Sequence, residues 1–250
     1  MAVSIKSARE IELMREAGKR LAHVHQELEA MIAPGISTWK IDAKGEKLIR
    51  DCGCIPNFLH YNGYPASICV SVNDEVVHGI PRKDRYLKEG DIVSLDAGLI
   101  YKGYHSDAAR THAVGKVSTE AQKLMDVTKQ SFFEGIKMAK EGQHLHDISR
   151  AIEEYVTPYG YGIVRDLVGH GIGTALHEDP QIPNYAQKRR GVRLQAGMTL
   201  AIEPMINAGT WQVRFLRDGW TVVTKDGSLS AHYENTILVT DGEPEILTLY

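Results

Sequence analysis

Three cysteines, four phenylalanines and an aromatic share of 7% are little for a chain of 250 residues. Cys52, Cys54 and Cys69 are odd in number and lack the spacing of a four-ligand zinc site, which excludes a disulfide framework. Cys52-Gly53-Cys54 could form half of a metal site, but no second pair completes a tetrahedron, so packing is the expected role of all three. Long apolar runs are missing as well: no segment reaches the roughly 18 residues of a membrane span. The stretch Met1 to Glu10 carries charges where a signal peptide needs its apolar core, so a cytoplasmic protein is expected. An excess of charge of one sign is also absent. Lysine and arginine number 29 against 32 acids, a net of −3, which gives no sequence-wide field for DNA or anionic lipid. What remains, 43% hydrophobic and 24% charged residues, is the composition of a soluble globular protein of one or two domains.

Self-similarity is the first positive signal. Gly35 and Gly142, Ile41 and Ile148, Gly53 and Gly160, Leu87 and Leu194, Gly90 and Gly197, and Asp96 and Glu203 are each 107 positions apart. The chain therefore reads as two related halves, roughly 1–112 and 113–250, of a single catalytic domain spanning 1–250. In the first half Ile11, Met14, Ala17, Leu21, Val24, Leu28 and Met31 recur at helical spacing and predict a long amphipathic helix stopped by Pro34-Gly35. Ser37 or Thr38 can cap a second helix bearing Ile41, Leu48, Ile49 and Cys52, with Gly53 at its C-terminal cap. The second half repeats the order, with Ala121, Leu124, Thr128, Phe132 and Ile136 on one helix and Ile148, Ile152, Tyr155 and Val156 on a shorter one ending near Gly160.

Both halves then turn strand-like, and an acid ends each repeated strand: Asp91 to Asp96 in the first, Met198 to Glu203 in the second. Period-two alternation sets Val93 and Leu95, or Leu200 and Ile202, on one face and the acid on the other. A second acid follows in each half, Asp107 in His105-Ser106-Asp107 and Glu234 in His232-Tyr233-Glu234, also within predicted strands. Packing gives a strand no reason to carry these acids, because Asp and Glu are disfavoured there and rarely buried without a partner. If Ile100 to Gly103 forms a four-residue hairpin loop, Leu99 pairs with Tyr104 and Asp96 falls opposite Asp107. Like charges about 5 Å apart need something positive between them, and no Lys or Arg alternates onto that face. A divalent cation answers that need. His170, in Gly169-His170-Gly171-Ile172-Gly173, is the fifth candidate, since its glycine neighbours allow close backbone approach and leave the imidazole unshielded.

Asp96, Asp107, His170, Glu203 and Glu234 in this order, with His177, the phrase Ala201-Ile202-Glu203-Pro204 and His78-Gly79-Ile80-Pro81, closely resemble the type I, bacterial methionine aminopeptidases. The likeness runs nearly end to end. It implies an α+β pita-bread fold, whose pseudo-twofold halves pack helices outside a curved antiparallel sheet. It also implies two divalent metal ions per chain, with Asp107 and Glu234 bridging, Asp96 on one ion, and His170 with Glu203 on the other. By the same likeness Glu203 takes a proton from water, while His78 and His177 contact the scissile peptide. Phe58, Tyr61, Tyr64, Cys69, Leu176 and Trp220 then line the methionine pocket, although Phe58 and Leu176 stand where some relatives carry cysteine and phenylalanine. Cobalt, manganese, iron, zinc and nickel all accept such mixed ligands, so the sequence does not choose among them.

The function so implied is removal of initiator methionine from nascent polypeptides whose second residue is small, by a monomer in the cytoplasm. Lys188-Arg189-Arg190 reads first as a solvated loop, and an enzyme of nascent chains could use it for an electrostatic contact with the ribosome. Xaa-Pro aminopeptidases and prolidases share the five ligands and the fold but usually add an N-terminal domain, for which this chain has no residues to spare. A pita-bread protein that had lost catalysis and kept only binding would be expected to lack ligands, and here each has its counterpart.

Overall fold

Ser7 opens the first helix, α1 (Ala8–Glu29), through a capping box in which its hydroxyl accepts from the Glu10 amide and the Glu10 carboxylate accepts from the Ser7 amide. These details come from a computed structural model that describes residues 3–249, leaving Met1, Ala2 and Tyr250 outside. Ser37 caps α2 (Thr38–Asp51) and Ser118 caps α3 (Thr119–Ile136), each by accepting a backbone N–H three residues on. The shorter α4 (Leu145–Val156) completes the second pair. One boundary differs from the sequence reading. Helix α1 ends at Glu29, so Met31 packs from the following turn, and Pro34-Gly35 belongs to the turn before α2 rather than to the helix stop.

The strands are β1 (Ile55–Pro56), β2 (Ile68–Val72), β3 (Glu75–Val77), β4 (Ile92–Tyr101), β5 (Tyr104–Ala113), β6 (Gly162–Ile163), β7 (Gly169–Gly171) and β8 (Glu178–Ile182). They continue with β9 (Thr199–Ile202), β10 (Met205–Asn207), β11 (Val213–Phe215), β12 (Val222–Thr224), β13 (Ser230–His232), β14 (Glu234–Leu238) and β15 (Glu245–Ile246). The principal sheet runs β1-β4-β5-β14-β9-β7-β8, with β2 also on β4 and β15 also on β14, and its pairings are antiparallel.

The internal repeat is visible in the backbone. Gly35 and Gly142 have φ of 87° and 86°, Gly53 and Gly160 70° and 74°, Gly90 and Gly197 89° and 93°. The amides of Gly35 and Gly142 donate to the carbonyls of Leu87 and Leu194 at 2.7 and 2.9 Å, and those of Gly90 and Gly197 to Val114 and Val239, both at 2.9 Å. Left-handed geometry at matched positions explains why the glycines recur. Each helix pair covers its own part of the sheet. Leu21, Leu28, Ile41 and Ile49 bury against Val93, Leu95 and Leu99, while Leu124, Phe132, Ile148 and Ile152 bury against Leu200, Ile202 and Ile237. Each such side chain contributes about 1.5–3 kcal/mol when taken from water. Strands β5 and β14 join the halves directly, with Ala109 opposite Glu234 and Ala108 opposite Asn235.

Three strand expectations are corrected. The β4–β5 hairpin has a two-residue loop, Lys102-Gly103, with Tyr101 opposite Tyr104, so Asp96 faces Ala109 and Asp107 faces Gly98. Lys102 and Gly103 take φ of 48° and 86°, which suits a tight primed turn whose twist matches the strands. The register moves by two residues, which keeps both aspartates on one face as diagonal neighbours. Strand β4 does not end at its acid but continues five residues to Tyr101. Glu203 lies just beyond β9, where Pro204 lacks the N–H to continue a ladder, and Glu234 opens β14 after a break at Tyr233.

Candidate metal centre and substrate cleft

Register alone brings the five candidate ligands to one face of the sheet. Asp96 and Glu234 both sit opposite Ala109, and Asp107 lies two residues from Ala109 on the same strand. Asn235 pairs with Ile202, which sets Glu203 across from Glu234, and His170 pairs with Ala201, two residues from Glu203. Glycine is required beside His170: a Cβ on Gly169 would stand 2.5 Å from the Ala201 carbonyl oxygen, and one on Gly171 2.2 Å from that of Asp179.

Asp96, Asp107, His170 and Glu234 are buried at 9%, 4%, 6% and 2% exposure, which no unpartnered carboxylate tolerates cheaply. Ligand atoms of Asp107, His170 and Glu234 all lie within 4.8 Å of one another. His170 Nε2 is 3.9 Å from Asp107 Oδ2 and 3.8 Å from Glu203 Oε1. Burial pushes the Asp96 carboxyl up to about 7 and that of Glu203 to about 8. Burial and then the neighbouring carboxylates drive Asp107 and Glu234 well above the usual range.

The residues fit divalent cations. Asp96 Oδ1, Asp107 Oδ1 and Glu234 Oε1 are buried without a hydrogen-bond partner. No lysine or arginine side chain pairs with any of the four carboxylates among the described residues; Arg110, on the opposite face, gives its guanidinium to the carbonyls of Ala109, Glu234 and Thr248 and the amide oxygen of Asn235. The imidazole of His170 is already set for ligation. Its Nδ1 lies 2.8 Å from the Gly171 carbonyl, so it carries the proton and Nε2 presents a lone pair to Asp107 and Glu203. Burial also lowers His170 to about 3, which keeps it neutral.

A cleft of about 240 Å³ opens over this face and is lined by Phe58, Tyr61, Tyr64, Cys69, His78, Leu176, His177 and Trp220 together with the acids and His170. Every site residue expected from the sequence thus borders one cavity. Phe58, Tyr64, Cys69 and Leu176 are buried and form one apolar cluster, against which Tyr61 and Trp220 pack half-buried. Trp220 meets Tyr64 edge to face at 5.1 Å, and Tyr64 anchors its hydroxyl on the Gly79 carbonyl at 2.9 Å. Cys69 pairs with Asp96 across β2 and β4, and burial raises its thiol well above the usual range. His78 is held at φ 59°, a conformation that costs a side-chain-bearing residue about 1–3 kcal/mol. Burial lowers His78 to about 4, and desolvation also lowers His177 at the cleft rim.

The sequence reading missed His232. Its Nε2 is 3.6 Å from Glu203 Oε2 and 3.9 Å from Glu234 Oε2, and neither ring nitrogen has a hydrogen-bond partner. Two-residue spacing from Glu234 was the available signal. Asn62, Val77, Leu167, Val168 and Met205 also line the cleft, and nothing in their local sequence singles them out. Lys188, Arg189 and Arg190 are exposed, with Arg190 paired to Asp147 at 2.8 Å.

A sequence profile of metallopeptidase family M24 matches residues 12–241. The chain belongs to metallopeptidase family M24. It is 54% identical over 247 residues to a methionine aminopeptidase of Clostridium acetobutylicum, covering 99% of both chains. It superposes on a methionine aminopeptidase of Thermotoga maritima with a TM-score of 0.97 at 46% identity, each chain covered completely. Likeness to an Xaa-Pro dipeptidase of Bacillus anthracis is lower, with a TM-score of 0.78 at 26% identity, covering 98% of this chain but 61% of that one. This M24 chain therefore has the expected pita-bread fold and is a metal-using hydrolase. No helix among its described residues is long and apolar enough to cross a membrane.

Proposed function

We propose that this M24 hydrolase is a methionine aminopeptidase that removes initiator methionine from nascent polypeptides with a small second residue, using two divalent ions per chain. The supporting observation is the full-length likeness to methionine aminopeptidases at 54% and 46% identity, joined to an apolar pocket that opens directly onto buried carboxylates. Asp107 and Glu234 would bridge the ions, Asp96 would hold one, and His170 with Glu203 the other. Bound cations supply Lewis acidity, which acidifies water and polarises the scissile carbonyl.

The chain's own groups divide the remaining work. Phe58, Tyr61, Tyr64, Cys69, Leu176 and Trp220 receive the methionine side chain, and their apolar surfaces exclude water from it. The substrate's free amino group lies toward Asp96, which selects chain ends over internal residues. Glu203, whose carboxylate bound cations would hold ionised, takes the proton of the attacking water and returns it to the leaving nitrogen. His177 donates to the carbonyl oxygen as charge develops there, and His78 faces the leaving amide. Tyr61 and His177, with ring centres 5.4 Å apart, narrow the rim beside the scissile bond and favour a small second residue. Residues 1–250 then form one catalytic domain, monomeric and cytoplasmic, and the exposed Lys188-Arg189-Arg190 segment, with Arg190 also paired to Asp147, offers the ribosome contact.

Peptide preference tests the substrate assignment. Met-Ala-Ser is expected to turn over well ahead of Ala-Pro peptides, and the reverse order would favour an Xaa-Pro peptidase. His177→Ala should lower kcat about 100- to 1,000-fold, the usual cost of one oxyanion donor, with metal content unchanged. Loss of metal from that variant would contradict the donor role.

A further inference from the structure

Tyr61 does more than line the pocket. Its hydroxyl lies 2.8 Å from Nδ1 of His177, a residue 116 positions away on the other half of the chain. Both partners are presented by fixed backbone. Tyr61 sits in a short turn between His60 and Asn62, whose φ values of 67° and 49° are left-handed although neither is glycine. The turn is closed by the Tyr61 amide on the Phe58 carbonyl at 2.9 Å, the Tyr64 amide on Tyr61 at 2.9 Å, and the His60 amide on Tyr64 at 2.8 Å. Strain of this kind persists only where surrounding bonds over-determine it.

The His177 segment is pinned as firmly. The Gly173 carbonyl accepts from the His105 amide at 2.8 Å, and Glu178, the next residue after His177, accepts from Lys6 at 2.7 Å and from the Ala175 amide at 3.2 Å. Ring torsion and tautomer are then the freedoms left to His177. Its imidazole is flanked by Tyr61 and, at 4.4 Å between ring centres, by His170. A phenol is a far stronger acid than a neutral imidazole N–H, and an imidazole lone pair is the better acceptor, so the hydrogen bond runs from oxygen to nitrogen.

We propose that Tyr61 is a positioning residue for catalysis: by donating to Nδ1 it fixes His177 in the tautomer whose Nε2–H faces the cleft. Without that bond the ring can turn or shift its proton, and Nε2 can present a lone pair where a donor is needed. The proposal rests on the peptidase reading and deepens it, since it makes one oxyanion donor depend on a hydrogen bond between the two halves.

Tyr61→Phe keeps the ring and the pocket wall and removes only the hydroxyl. On Met-Ala-Ser its kcat should fall about 10- to 100-fold with KM within about twofold, the size of effect seen when a partner that orients a working histidine is lost. In a His177→Ala background the same change should cost no more than about twofold further. Nitrogen-15 spectra of the His177 ring should show Nε2–H in the wild type and mixed tautomers in Tyr61→Phe. An undiminished loss in the double variant, a wild-type kcat in Tyr61→Phe, or an Nδ1–H tautomer in the wild type would each overturn the proposal. The spectra need no substrate, so a wild type inactive on Met-Ala-Ser would sink the substrate reading and leave the tautomer question to be decided separately.

Discussion

Replacing Asp107 or Glu234 by alanine is expected to cut turnover at least about 1,000-fold and to empty the centre of metal, because each carboxylate belongs to the group whose ligand atoms converge within 4.8 Å and no other carboxylate takes its place there. Both are almost fully buried, so water is a poor substitute, and the nearby His232 lies against Glu203 and Glu234 rather than against Asp107. Folding should survive. Each substitution removes a buried carboxyl group that desolvation and then its acidic neighbours penalise, so the variants should melt no lower than wild type when both are metal-free at pH 8. Metal analysis, kcat and thermal melts of the same samples check all three expectations. A variant that retained both metal and a tenth of wild-type activity would remove that residue from the ligand set.

Metal removal itself should make stability depend strongly on pH. Asp96, Asp107, Glu203 and Glu234 have raised pKa values in the fold, so above about pH 4 the folded protein holds protons that the unfolded chain has released, and stability falls as pH rises toward the folded values. The buried histidines act in the opposite sense. His78, His170 and His232, lowered to about 4, 3 and 4, favour the fold increasingly as pH climbs through 6.5, and the gain levels off about one unit above it. Between about pH 6.5 and 8 the remaining histidine gain is small, and the four raised carboxylates set the direction of the change. In chelator, the melting temperature should drop by at least about 5 °C across that window, a few kcal/mol for a chain of this size. Restoring divalent ions should abolish the drop, since cations hold the carboxylates ionised. A flat or rising melting curve in chelator would mean that the acids are not buried together as the structure places them.

The two halves were legible because glycine leaves a conformational mark. Gly35, Gly53 and Gly90 and their partners all need φ values that other residues resist, so the spacing in the sequence was a spacing of turns. Asp96, Asp107, Glu203 and Glu234 were legible because carboxylates in apolar strands have no packing role to hide behind. Hairpin register was not, since it depends on Lys102 adopting a left-handed turn that its side chain does not advertise. The strand boundaries near Glu203 and Glu234 depended on Pro204 and on the break at Tyr233, which apolar patterning passes over. His232 escaped because a lone histidine in a strand gives no sign of which carboxylate it will meet. Tyr61 read as an aromatic wall, and its hydroxyl contact with His177 exists only once the two halves close on each other.

Anaerobic titration of metal-free protein with manganese or cobalt, followed by calorimetry and by turnover of Met-Ala-Ser in the same samples, tests the shared centre most directly. Two ions per chain should bind, activity should rise with occupancy, and binding should disappear in Asp107→Ala and Glu234→Ala. Saturation at no ions, or undiminished binding in both variants, would contradict a metal centre built from these acids and His170.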